Sequence, residues 1–140
     1  MAIGEALLRS VAAGIDYTDS TDIPTGPNWV SVVVTNPSNN QPVTVWFSRT
    51  TPVSAAIVVT IETQSGFPAD GAARIKSETV SFVNQWPVGQ TLFSSRLYSP
   101  ANNVPGHEIN SLTINATDRR TLAPFERLQI TAADVTVTVV

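Results

Sequence analysis

The chain's only histidine, His107, directly follows Pro105 and Gly106, within the stretch SRLYSPANNVPGHEINSLTIN from residue 95 to 115. A histidine on a tight turn is a candidate general base, because its imidazole changes charge near neutral pH. Such a base needs an orienting group behind the ring. Glu108 is adjacent, but neighbouring residues of a strand point to opposite faces. If a strand begins here, Glu108 cannot orient the imidazole, and His107 reads as an exposed turn residue.

Asp16, Asp19 and Asp22 recur at intervals of three in DYTDSTD and offer oxygens to a hard cation. Calcium loops place ligands at alternate positions around a central glycine, and that arrangement is missing. The three aspartates read as turn caps on a solvated loop. GFPADG (66–71) precedes a helical pattern and invites comparison with a phosphate cradle. It has neither the P-loop lysine nor the spaced glycines of a dinucleotide fingerprint, so it reads as the start of a helix. NAT (115–117) matches a glycosylation acceptor by chance. Arg119 and Arg120 read as a solvated hairpin tip. Neither a Ser–His–Asp spacing nor G-x-S-x-G is present. The residues therefore give no catalytic, cofactor-binding or metal-binding assignment, and the expectation is a non-enzyme.

The bulk composition narrows the classes further. A chain of 140 residues suits one domain, and 42% hydrophobic residues are enough for a core without staples. There is no cysteine, which fits synthesis in a reducing cytoplasm. Net charge is −3, and the eight Lys and Arg residues are scattered. A nucleic-acid binder needs a basic stripe to displace counterions, so nucleic acid is excluded as a partner. No apolar run approaches the roughly 20 residues of a membrane span. The start MAIGEALLRSVAAG has no basic n-region of a signal peptide.

The elements that must position these residues follow from periodicity. Ile3, Leu7 and Val11 form one face of a short helix over 1–14, ended by Gly14. Residues 16–28 read as a loop. Three strands fill 29–63: WVSVVVT (29–35) and VTVWFS (43–48) as a hairpin about NPSNNQP, then AAIVVTIET (55–63). In the third strand Ile57, Val59 and Ile61 share a face, and Val58 on the other face suggests a central position. Two helices fill 70–98. In the first, Ala72, Ile75, Thr79, Phe82 and Trp86 form a stripe, Asp70 is placed to cap it and Pro87 to stop it. Burying Ile75, Phe82 and Trp86 is worth about 1.5–3 kcal/mol each. The second helix, VGQTLFSSRLYS (88–99), turns Leu92 or Phe93 and Leu97 inward and should end before Pro100. C-terminal strands fill 109–140: INSLTIN with Leu112 and Ile114 inward, and DVTVTVV with Val135, Val137 and Val139 on one face. The expected fold is α+β, a largely antiparallel sheet with two consecutive helices on one face and a short N-terminal helix.

This succession resembles the C-terminal region of the baseplate J-like proteins, wedge components of contractile phage tails, of the Mu-like branch. Its most specific piece is GQTLFSSRLYSPANNVPGH (89–107), and the resemblance runs from about residue 4 to 140. It implies a structural component of a phage or prophage contractile-tail baseplate that acts through protein–protein contacts in the wedge or ring. The implied partners are other tail baseplate proteins, and the implied location is the virion tail baseplate, assembled in the bacterial host cytoplasm. Family members are longer, so the resemblance also implies that residues 1–140 are the C-terminal part of a longer baseplate protein. No catalytic residue is implied at any of these positions. In isolation the chain is expected to be a monomer or weak oligomer, because Ile3, Leu7 and Val11 are too few for a large interface.

The alternative is a carbohydrate-binding or adhesin-type module. Trp29 and Trp46 lie on adjacent expected strands, and an exposed aromatic pair there would favour a sugar site.

Overall fold

The computed structural model describes residues 29–140, the side chains at 46–48 excepted. The helix expected over 1–14, with Ile3, Leu7 and Val11, lies outside the described residues, as do Asp16, Asp19 and Asp22. The chain divides into two compact units between Arg49 and Thr50, where the sequence reads as one domain.

In the first unit, β1 (Trp29–Thr35) and β2 (Pro42–Ser48) form the expected antiparallel hairpin, with Val32 opposite Val45 and Val34 opposite Val43. Asn40 adopts positive φ in the connecting loop, a conformation asparagine tolerates. The Asn36 side chain accepts from the Ser38 amide at 2.9 Å, closing a local turn. Val34 and Val45 are buried.

The second unit is built on a three-stranded sheet in the order β6 (His107–Ile114), β4 (Ile57–Thr63), β9 (Val135–Val139). β4 is its central strand, antiparallel to β6 and parallel to β9. Ile57, Val59 and Ile61 are fully buried on one face. Two short pairings complete the unit: β3 (Thr51–Val53) runs parallel to β8 (Glu126–Leu128), and β5 (Leu92–Phe93) antiparallel to β7 (Arg119–Arg120). The described residues thus form an α+β fold with two α-helices and mostly antiparallel strand pairing.

Helix α1 (Gly71–Asn84) buries Gly71, Ile75, Thr79 and Val83. The expected stripe is right at Ile75 and Thr79 and drifts at its C-terminal end. Val83 takes the core position, while Phe82 and Trp86 are half-buried and pack on the rim of the core. The Asp70 side chain makes no capping hydrogen bond. Instead the Gly71 amide donates to the Pro68 carbonyl at 2.9 Å, so the preceding turn supplies the acceptor.

Helix α2 (Ser94–Ala101) differs from the expected span of 88–99 at both ends. Gly89 has positive φ and lies against the Pro124 backbone, and Leu92 and Phe93 are drawn into pairing with β7. The helix then runs through Pro100. Proline there removes only the bond to the Arg96 carbonyl in a helix already ending, and Pro100 and Ala101 are both buried. Leu92 and Leu97 face inward as expected; Phe93 does not.

One core unites these elements: Ile75 and Val83 from α1, Leu97 and Ala101 from α2, Ile57, Val59 and Ile61 from β4, Leu112 and Ile114 from β6, and Val135 from β9. Asn84 fastens the end of α1 to the segment before β9. Its side-chain amide donates to the Ile130 carbonyl at 3.0 Å, and its oxygen accepts from the Ile130 amide at 2.8 Å. Among the described residues no helix is long and apolar enough to cross a membrane.

Candidate functional site

Two stretches singled out in the sequence, GFPADG and VPGH, meet in space. The Gln64 amide donates to the Gly106 carbonyl at 2.7 Å. Gly106 has φ +80°, and a Cβ there would overlap the backbone of Phe67 and come within 2.6 Å of the Gly66 carbonyl carbon. The Phe67 ring covers Gly71 at the start of α1, where a Cβ would lie 2.6 Å from ring atom Cε2. The same ring meets His107 edge-on. Only glycine satisfies both close approaches, the first because of positive φ as well as space.

His107 is therefore not an exposed turn residue. It is the first residue of β6, paired with Thr63, and both ring nitrogens are buried without a hydrogen-bond partner. The strand begins two residues earlier than its alternation suggested, because the pairing with Thr63 extends it. Glu108 does not orient the ring; it faces solvent and accepts from the Gln64 side-chain amide at 3.4 Å. A general base has to reach a substrate proton and be held by an orienting acceptor. This imidazole has neither arrangement, and its geometry is that of a packing group between two glycine-bearing turns.

Arg119 and Arg120 do not form a hairpin tip. The tip is Asn115–Ala116, both at positive φ, with the Ile114 and Thr117 backbones bonded across it at 2.9 Å in each direction. The Asn115 side chain accepts from the Ala56 amide at 2.8 Å, so NAT is a turn braced from within. Arg119 lies in β7, with its guanidinium carbon 5.5 Å from the centre of the Phe93 ring and an ion pair to Asp118 at 3.0 Å. The Asp118 carboxyl is held below the ordinary carboxylate range by the hydrogen bond from Arg119, and its charge adds to the effect.

A shallow groove of about 180 Å³ lies between α1 and α2, lined by Glu78, Ser81, Phe82, Gln85, Ser99 and Asn103 among others. Asn103 donates to Glu78 across it at 3.2 Å. Its groups are hydroxyls, amides and one carboxylate, with no nucleophile–base pair. Among the described residues no three His, Cys, Asp or Glu side chains converge as metal ligands would.

Apolar side chains stand out at the surface instead. Val88, Phe93, Tyr98, Phe125, Val139 and Val140 are all exposed. The Gly89 amide donates to the Glu126 carbonyl at 2.9 Å, which sets the segments bearing Val88 and Phe125 side by side. Phe67 and Asn84 are not singled out by the sequence, and Phe93 is singled out only as an alternative to Leu92 for the core. The glycines flanking Phe67 were a local signal; the partners of Asn84 and Phe93 lie too far along the chain to be seen. No family model matches the sequence, and no curated protein matches it.

Proposed function

We propose that the chain is a structural component of a phage or prophage contractile-tail baseplate, the C-terminal part of a longer protein, acting through protein–protein contacts and not through catalysis. The reading rests on the likeness of residues 89–107 to the baseplate J-like proteins. One observation supports it above the others: that stretch buries Leu92, Leu97, Ala101 and Val104 in the core and leaves Phe93 and Tyr98 at the surface. Residues of the likeness thus build the scaffold and present apolar contacts. In this reading α1 and α2 lie together on the core-facing side of the β6-β4-β9 sheet, and the surface residues meet neighbouring tail proteins. Antibody raised against the chain should label the baseplate end of contractile tails released from the producing host. Tails that carry no trace of the chain would refute the proposal.

The adhesin reading has one observation in its favour. Ser31 pairs with Trp46 and Trp29 with Ser48, so positions 29 and 46 are diagonal neighbours on one face of the hairpin. Trp86 contributes nothing to such a surface: it packs on the core, and its indole N–H donates to the Gln90 carbonyl at 3.1 Å. Titration with soluble polysaccharides, read by tryptophan fluorescence, separates the two readings.

A further inference from the structure

We infer that β9 is a self-pairing edge, through which two copies of this chain join their three-stranded sheets into one continuous sheet. The direction of the backbone groups comes first. The Val140 amide donates to the Ile61 carbonyl at 3.0 Å, and β9 runs parallel to β4 with unbroken register from Val135 to Val139. Alternate residues of a strand turn their N–H and C=O to opposite sides. Residues 136, 138 and 140 therefore bond to β4, and Val135, Val137 and Val139 present their N–H and C=O at the outer edge. Among the described residues no strand pairs with that edge.

Unpaired edges are ordinarily blunted by lysine, proline, a bulge or an inward charge. β9 and the residue after it read VTVTVV and carry none of these. Val139 is 51% and Val140 66% exposed. The opposite edge strand, β6, is managed differently. Its pairing with β4 shifts register between Thr60 and Ile61, Glu108 lies on it, and a backbone bridge to Thr117 folds over its end. Among the described residues, the β6 edge is protected and the β9 edge is not.

The occupant that matches β9 is β9 itself. Antiparallel pairing about Val137 sets Val137 against Val137, Thr136 against Thr138 and Val135 against Val139. The valine pairs are those whose N–H and C=O point outward, so each exchanges two backbone bonds. Threonine opposite threonine is a favourable cross-strand pair, and no like charges oppose one another. A contact along five residues buries less than the roughly 1,200 Å² of a standard interface, so the dimer forms only at raised concentration. This inference stands independently of the baseplate reading.

Sedimentation velocity on the full chain, from low micromolar to millimolar, tests it. The wild type should pass from monomer to dimer. Thr136→Lys with Thr138→Lys places like charges opposite each other twice in this register and should weaken association roughly tenfold. Thr136→Glu with Thr138→Glu should do the same, and mixing the two variants should restore a heterodimer. Thr136 and Thr138 are both exposed, so neither pair disturbs the core. Val137→Cys offers a second readout in a chain without cysteine: mild oxidation should yield a disulfide-linked dimer, whereas Thr113→Cys should not. A wild type monomeric throughout, or a lysine pair that associates as the wild type does, overturns the inference.

Discussion

The rings of Phe67 and His107 meet edge to face, their centroids 5.8 Å apart and their planes inclined by 73°. This contact joins the turn before α1 to the turn before β6, and it relies on Gly71 and Gly106 leaving room for Phe67. Gly106→Ala should therefore destabilise the protein by about 2–4 kcal/mol, combining positive-φ strain with a backbone clash. Gly66 also has positive φ but nothing within 4 Å of a Cβ, so Gly66→Ala should cost less, about 1–2 kcal/mol of backbone strain alone. Urea unfolding of the two variants compares them directly, and equal losses would refute the close packing.

At His107 the expectation runs opposite to that for a catalytic residue. His107→Ala removes the contact with Phe67 and should lower Tm. His107→Leu keeps an apolar body while removing two buried nitrogens that lack partners, which are costly to bury. Its Tm should equal or exceed that of the wild type. A marked loss of Tm in His107→Leu would mean that the ring nitrogens do bond in solution.

Asn84 offers a donor and an acceptor to the two backbone groups of Ile130. Asn84→Ala should cost about 2 kcal/mol, because both backbone groups lose their partner. Asn84→Asp retains the acceptor but turns an oxygen toward the Ile130 carbonyl, and should be no better than alanine. An aspartate variant as stable as wild type would show that the clamp contributes little.

The secondary structure was legible where one side of an element is wet and the other dry. Val32 and Val34 in β1, Ile57, Val59 and Ile61 in β4, and Leu112 and Ile114 in β6 all announce their strands by alternation. Alternation is silent on partner and direction, so the parallel pairings of β9 with β4 and of β3 with β8 were not visible. Leu92 and Phe93 look helical beside Leu97; they form a strand because Arg119 and Arg120, distant in sequence, pair with them. The stripe of α1 drifted because large aromatics mimic a core position: Phe82 and Trp86 pack on the rim while the smaller Val83 fills the interior. The junction at His107 was half legible. Gly71 and Gly106 mark close approaches and Gly66 a positive-φ turn, but only the fold reveals that Phe67 is what approaches the first two.

The Asp118–Arg119 pair is exposed on both sides, at 67% and 55% of the side-chain surface. Because the folded-state carboxyl titrates below the ordinary aspartate range, its contribution is present above that range and lost as pH falls through the lowered value. Solvent and salt screen such pairs. Asp118→Asn should therefore leave Tm unchanged at physiological salt; any difference should appear at neutral pH and low salt, and vanish under acid conditions that protonate Asp118. A clear loss of Tm at neutral pH and physiological salt would contradict this assignment.

The most direct measurement of the central claim is electron microscopy of particles from a producing host whose copy of this gene has been deleted. The account predicts tails or tubes without a complete baseplate, restored by the wild-type gene and by a His107→Leu gene alike. Normal baseplates on contractile tails from the deletion host would contradict it.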